Sequence, residues 1–420
     1  MSTPTLRTEK RESLWTKNFI LVCLIGFFCN TSIQMMNTTM APYANDLWGN
    51  KALGGYMTSF FNIGSIAMAF LCGWLVNRLG RRNCLLLCAL LFALPTFLLV
   101  GTKIPALSLT VRFIQGLSKG ALYVAAAAMV SDVTPQSRMS EGMSLYYIGS
   151  TVAFAVGPYI GLLMSDIGYN VMFVICAALT LIAAVISLFV DYEKKDPARY
   201  RLAAAAAAND PKYRGVWRLI EKKALGCSIN FAVSFAATSC IVIFLTVFSK
   251  EILGYDSLQI CMFYTVAGVV MLALRFTAGR IADRYGPFTM ILPGHAAIFI
   301  QILLLMSPAV KQHYGLYLLA GAMWGVSTAA IMPIMNAMAV LYSPLRRNGA
   351  ANATFGFVQD FGILFASLSF GNIIDAGRTP EIGYRNMFLI CLAIGAVSLV
   401  MALVLFSNRY RDRAIAARED

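Results

Sequence analysis

The chain has 420 residues, 59% hydrophobic and 13% charged, with a mean hydropathy of +0.69 and a formal net charge of +14. Soluble domains carry about 25% charged residues, so this composition excludes an ordinary water-soluble fold and points to lipid. The basic excess points to a membrane surface before nucleic acid, because the charges sort by position along the chain.

A bilayer span needs about 20 mostly apolar residues. Twelve stretches qualify: 19–40, 52–76, 84–101, 105–131, 142–165, 169–190, 224–248, 258–282, 289–308, 314–342, 349–373 and 384–407. With the N-terminus in the cytoplasm, and the span-end residues Arg280 and Arg385 counted with their adjoining loops, 25 Lys and Arg fall on the cytoplasmic side, 6 on the opposite side and 3 inside spans. That asymmetry obeys the positive-inside rule and predicts cytoplasmic N- and C-termini in a multi-pass plasma (inner) membrane protein. The leader 1–17 is polar and the first apolar run is long enough to stay in the membrane, so no secretory signal peptide is expected. All ten cysteines lie in or beside spans without a Cys-x-x-Cys pair, and the only histidines are His295 and His313. They read as packing residues, with no metal site and no cofactor expected.

Taken in order, span 1 places Asn30, Gln34 and Asn37 on one face. The turn after span 2 reads Gly73-Trp74-Leu75-Val76-Asn77-Arg78-Leu79-Gly80-Arg81-Arg82. Span 4 carries Arg112, and seven residues on, along the same face, Lys119, with Tyr123 extending the stripe. A charge inside a span is costly by about 2.5–3.5 kcal/mol or more, so it faces a partner or a wet cavity. Lys119 is too deep to reach either interface and reads as a substrate or coupling site, or as half of a structural ion pair. Span 5 begins near Glu141 and contains Gly157-Pro158-Tyr159-Ile160-Gly161, where proline weakens the helix ladder and glycine permits close approach.

Residues 191–223 are rich in Lys and Arg around an alanine run at 203–208, and read as an amphipathic cytoplasmic linker. Span 7 lines up Asn230, Ser234 and Thr238. Span 8 carries Arg275, four residues before Gly279-Arg280-Ile281-Ala282-Asp283-Arg284-Tyr285-Gly286. Arg275 either contacts substrate or locks spans 5 and 8. Span 10 offers Trp324, Ser327, Thr328 and Asn336. Asp360 in span 11 is the one clear mid-membrane carboxylate, able to carry a proton or to stand as permanent partner of a buried cation.

Gly73 and Gly279, Arg78 and Arg284, and Gly80 and Gly286 all stand 206 apart, close to half the chain. The chain therefore reads as a duplication, with an N-terminal six-helix bundle at 1–190, the linker at 191–223 and a second bundle at 224–420.

These motifs resemble the major facilitator superfamily over essentially the whole length. Its turn between spans 2 and 3 carries Gly-x-x-x-Asp-Arg-x-Gly-Arg-Arg. Here Gly73, Arg78, Gly80, Arg81 and Arg82 match while Asn77 replaces the acid; the second copy keeps it as Asp283 beside Arg284. The resemblance implies a conformational latch at these turns, weakened at Asn77, which cannot form an ion pair. Arg112-Phe113-Ile114-Gln115-Gly116 resembles the family's span-4 signature. Gly157, Pro158 and Gly161 resemble the core of the signature of proton-coupled exporters, although Ser144, Ala153 and Leu162 stand where further glycines are expected. Spans 1, 4, 7 and 10 line the family's cavity.

The resulting fold class is an all-α membrane protein of twelve transmembrane helices in two pseudo-symmetric six-helix bundles. The function implied is proton-coupled efflux of a small organic molecule by alternating access, antiport in form; the alternatives are uptake or exchange of an organic anion, and a non-transporting receptor. Gln34, Asn37, Arg112, Lys119, Tyr123, Asn230, Ser234, Arg275, Trp324 and Ser327 are the expected substrate contacts, and Asp360, Glu141 and Arg112 the expected coupling residues. Expected partners are the substrate, protons and lipid, with no nucleic acid and a monomeric chain. No nucleotide-binding motif is present and no nucleophile–base pair is visible, so an enzyme is not expected.

Overall fold

The computed structural model describes residues 14–134, 139–191, 220–275, 277–343 and 348–405. Each of the twelve apolar stretches is helical, the eighth in two pieces: α1 Lys17–Trp48, α2 Lys51–Leu79, α3 Arg81–Phe97, α4 Pro105–Val133, α5 Met139–Ile167, α6 Tyr169–Leu188, α7 Leu225–Phe248, α8 Ser257–Arg275 with a short helix Ala278–Tyr285, α9 Phe288–Met306, α10 Tyr314–Leu341, α11 Asn348–Asp375 and α12 Pro380–Leu405. Among the described residues, nine helices are long and apolar enough to cross a membrane. α3 has only 17 residues. α1 runs eight residues beyond the expected end at 40, through Pro42 to Trp48. Its Thr16 hydroxyl caps the start by accepting from the Phe19 N–H at 3.3 Å. Gly49 stops it in the left-handed region, where glycine lacks the Cβ penalty.

The duplication is visible in the backbone. Gly49 and Gly254 end α1 and the π turn Ser249–Leu253 after α7, with φ of 62° and 74°. Gly80 and Gly286 hold the turns before α3 and α9 at φ 81° and 94°. Equivalent glycines thus do the same work in both halves. Two apolar cores form, one built from α1–α6 and the other almost entirely from α7–α12.

Within the first half, α2 and α4 meet at glycines. A Cβ on Gly116 would collide with the Phe61 carbonyl, one on Gly64 with the Phe113 carbonyl, and one on Gly120 would come within 2.6 Å of the Ser65 carbonyl. Small residues allow this backbone contact between membrane helices. Between the halves, α2 and α11 run antiparallel as a polar ladder. The Ala52 N–H donates to Asp375 at 2.9 Å, and the Tyr56 hydroxyl to Asn372 at 2.9 Å. Ser59 and Ser367 share a hydrogen bond at 2.7 Å, and the Ser65 hydroxyl donates to Asp360 at 2.6 Å. At 1.5 Å per residue the ladder extends for about 20 Å, from the end bearing the α1–α2 connection to mid-depth.

That end, here the clamp end, is tied further. Lys51 and Glu251 pair at 2.6 Å, and Asn45 donates to Glu251 at 3.2 Å. Lys250 lies 3.5 Å from Asp166, which also accepts from the Ser257 hydroxyl at 2.7 Å. Among the described residues, every hydrogen bond and ion pair between the halves lies between the clamp end and Asp360.

Candidate functional site

The α2–α4 glycine contact and the α2–α11 ladder converge on one cluster. Lys119 Nζ on α4 stands 2.8 Å from Asp360 Oδ1 on α11, and Ser65 on α2 holds the other carboxylate oxygen. Both side chains are largely removed from solvent, Lys119 at 16% and Asp360 at 12% exposure. The Lys119 ammonium also lies 5.4 Å from the centre of the Phe61 ring, a distance at which an aromatic face attracts a cation. A charge from each half therefore meets across the interface.

Arg112 sits on the same face of α4 but does not reach the cavity. It is fully buried. Its Nη2 donates to Asn37 at 2.9 Å, its Nη1 to Gln115 at 3.0 Å and its Nε to the Met57 carbonyl at 3.4 Å. The guanidinium lies 4.3 Å from the Phe61 ring centre. Gln115 in turn donates to Thr96 at 2.8 Å. Arg112 thus ties α4 to α1, α2 and α3 with neutral acceptors. Asn37 also donates to Gln34 at 3.3 Å, so Gln34 and Asn37 extend this network along α1.

Tyr123 is part-exposed, and its hydroxyl donates to Asn30 at 3.0 Å. Asn30 bonds onward to Ser150 on α5 at 3.3 Å. Arg275 is half-buried and its Nε, removed from solvent, has no hydrogen-bond partner among the described residues.

In the second half the expected residues divide. Asn230 is fully buried and donates to the Ser398 carbonyl at 2.7 Å, so its amide faces α12 rather than the cavity. Ser234 bonds to Ser398 and lies 3.4 Å from His295 Nε2. His295 completes this buried cluster through Ser398 at 3.0 Å and the Ile291 carbonyl at 2.9 Å. Ser234 also borders a small cleft with Thr238, Ser327, Thr328 and Phe231. Trp324 is buried, makes an edge contact with Phe154 of the other half at 6.4 Å and leaves its indole N–H without an acceptor among the described residues.

Gly157 and Gly161 pack α5 onto α1 of their own half. A Cβ on Gly157 would come within 2.7 Å of Gln34 Cβ, and one on Gly161 within 3.0 Å of Met35 Cα. The Pro158 and Tyr159 carbonyls on the same turn face Cys261 of α8, at 3.9 and 3.7 Å. In the glycine-bounded turns, Arg81 pairs with Asp132 at the end of α4 at 2.8 Å, and Arg82 donates to the Leu188 carbonyl at 2.7 Å. Arg284 is exposed and lies 5.3 Å from the Tyr285 ring centre. The surroundings of Gly73 and Gly279, the side chains of Asn77, Arg78, Glu141 and Asp283, and the linker at 192–219 lie outside what the structure describes.

Sequence reasoning missed Ser65 and the clamp residues Lys51, Asp166, Lys250 and Glu251. The stripe Thr58, Ser59, Asn62 and Ser65, all buried, was the available signal for a polar α2 face.

A family model described as Major Facilitator Superfamily matches residues 22–367. Multidrug resistance protein MdtL of Shewanella oneidensis is 23% identical over 390 residues, covering 91% of this chain and 94% of its own length. Multidrug resistance protein MdtG of Salmonella choleraesuis is 24% identical over 400 residues, covering 91% and 93%. A crystal structure of a mutant of the nucleoside transporter NupG superposes with a TM-score of 0.72 at 14% identity, covering 93% of this chain and all of that one. At that identity the structural likeness speaks for the fold alone.

Proposed function

The chain belongs to the Major Facilitator Superfamily, and from that premise we propose that it exports a small organic molecule in exchange for protons. It is a multi-pass membrane transporter and not an enzyme. The observation that carries the coupling is the Lys119–Asp360 pair, which joins the halves at mid-depth beside Ser65. The names of MdtL and MdtG support efflux, and Gly157, Pro158 and Gly161 support antiport by their resemblance to the exporter signature.

In this reading the helices of 1–190 and those of 224–420 rock as two bodies joined by 191–223. The linker end faces the cytoplasm, in keeping with the positive-inside bias, so the tied clamp end is the outer gate. The state described is then closed outward. A proton entering the site binds the Asp360 carboxylate and leaves a neutral acid, while Lys119 stays an ammonium. The attraction between halves is lost at that point, and the equilibrium between inward- and outward-facing forms shifts. Release of the proton restores the pair. Gln34, Asn37, Tyr123, Trp324, Ser327 and Ser234 are proposed to line or border the substrate path. Arg112 and Asn230 hold the helices that carry it. Glu141 is proposed as an accessory coupling carboxylate, and the turns at Gly73–Arg82 and Gly279–Gly286 as the cytoplasmic latch. The chain is proposed to work as a monomer in the plasma membrane.

The test is a substrate screen with purified protein in vesicles, with and without a pH gradient. Substrate movement driven against its own gradient by inward proton flow supports the reading. Movement in the opposite sense would make the protein an importer or exchanger of organic anions, and ligand binding without flux would make it a receptor.

A further inference from the structure

The Asp360 carboxylate is held by the opposite half of the molecule. Lys119 of α4 pairs with Oδ1 at 2.8 Å, and the Ser65 hydroxyl of α2 donates to Oδ2 at 2.6 Å. Among the described residues, no group of its own half bonds either oxygen. α7 packs against α11 beside it, where a Cβ on Gly362 would come within 2.7 Å of the Ala232 carbonyl, but Leu225–Phe248 carries no charged residue. α10 carries none either, and those of α12, Glu381 and Arg385, lie in its first two turns at the clamp end. On α4, Tyr123 lies one turn past Lys119 and donates to Asn30, and Arg112 is enclosed two turns before it.

Ser65 also differs from the rest of its stripe. Thr58, Ser59 and Asn62 each donate to the carbonyl four residues back on α2, the ordinary local bond of such side chains in a helix. Ser65 makes no such bond, and its proton goes across the interface. Its backbone is fixed from behind by α4. A Cβ on Gly116 would stand 3.0 Å from the Ser65 nitrogen, and one on Gly120 2.6 Å from its carbonyl oxygen. Lys119 immediately precedes Gly120. Hydroxyl and ammonium are thus presented by one close-packed helix pair, and they reach or leave Asp360 together. Donors to an ionised carboxylate favour the ionised form, and a carboxylate stripped of them inside a membrane favours the acid. We infer that Ser65 is a positioning residue for proton coupling, and that with Lys119 it makes Asp360 hold its proton loosely while the outer gate is closed and tightly once the halves part. Linkage then sets the direction, with uptake from the outer side and release towards the cytoplasm. This inference rests on the transport reading for its meaning, but proton binding at Asp360 is measured without transport.

The probe is the proton itself. Infrared difference spectra of the purified full chain in lipid, titrated with acid, follow the carboxylic-acid band that Asp360→Asn removes. In Ser65→Ala that band should be half-developed at least about one pH unit higher than in wild type, a tenfold gain in proton affinity, because a hydrogen bond to a charged group is lost. Ser65→Cys, whose thiol is a weaker donor, should fall between the two. Closure is tested by joining Tyr56→Cys to Asn372→Cys, whose native side chains bond across the halves, with a bismaleimide. The joined protein should reach half-development at lower pH than the unjoined one, and Ser65→Ala should shrink that difference. Equal midpoints in wild type and Ser65→Ala, or a midpoint unmoved by the crosslink, would overturn the inference. The expected shifts, together with no proton-driven flux by wild type, would uphold the role of Ser65 and defeat proton-coupled export instead.

Discussion

Replacing Asp360 by Asn removes the one acid that neutralises Lys119 while keeping the shape of the side chain. At 2.8 Å and an effective dielectric of about 20, the gross attraction of the pair is about 6 kcal/mol. Much of that offsets the cost of holding two charges away from water, so the net worth of the intact pair is small. Breaking it from one side is different. Lys119 would be left at mid-depth with a neutral amide oxygen and the Phe61 ring, and the loss from such half-broken pairs is about 3–5 kcal/mol. Asp360→Asn and Lys119→Met should each lower the melting temperature in detergent and abolish accumulation driven by a pH gradient. The double variant Lys119→Met/Asp360→Leu should recover most of the stability, because no charge remains unpaired, yet stay uncoupled. Thermal denaturation beside vesicle flux measures both properties on the same preparation. If the two single losses simply add in the double variant, the residues do not act as a pair. Full gradient-driven transport by Asp360→Asn would remove the carboxylate from coupling.

Arg112→Ala should cost folding rather than substrate affinity, by about 3 kcal/mol or more, since it strands Gln115, Asn37 and the Met57 carbonyl; detergent extraction yield and melting temperature report it. Gly116→Leu should prevent assembly of the first half, because its side chain would enter the Phe61 carbonyl, and the expected readout is loss of monodisperse protein. Gly157→Leu should likewise lower stability, because the glycine is packed against Gln34 and Thr31 of its own half; a well-folded variant that cannot alternate would contradict this. Glu251→Gln should weaken the clamp by releasing Lys51 and raise labelling of a cysteine introduced near Tyr56 from the clamp side, with unchanged labelling counting against a gating role.

The twelve spans were legible because apolar runs of membrane length have few other uses, and the duplication because Gly80 and Gly286 must both adopt positive φ. Lys119 and Asp360 were legible singly, as charges too deep to hydrate. Their pairing was not, since it depends on the antiparallel register of α2 against α11 and on how closely Gly116 and Gly120 admit α2 to α4. Arg112 looked like a cavity residue because it shares the Lys119 face. Gln115 is one helical turn away on the same helix, but Asn37, which completes the enclosure, stands on α1 and only packing brings it in. Asn230 is comparable: helical periodicity assigns a stripe, and rotation of α7 against α12 decides which neighbour that stripe meets. The clamp charges sat at span ends, where a sequence shows only solvated Lys, Asp and Glu.

The central claim is that the protonation of Asp360 sets the relative position of the two halves. It is tested most directly by pulsed electron–electron resonance between spin labels at the exposed positions Leu79 on α2 and Tyr285 after α8, one on each half at the linker end. The account predicts two distance populations in wild type whose ratio shifts with pH, and a single pH-independent ratio in Asp360→Asn. The same pH-dependent shift in both proteins would contradict it.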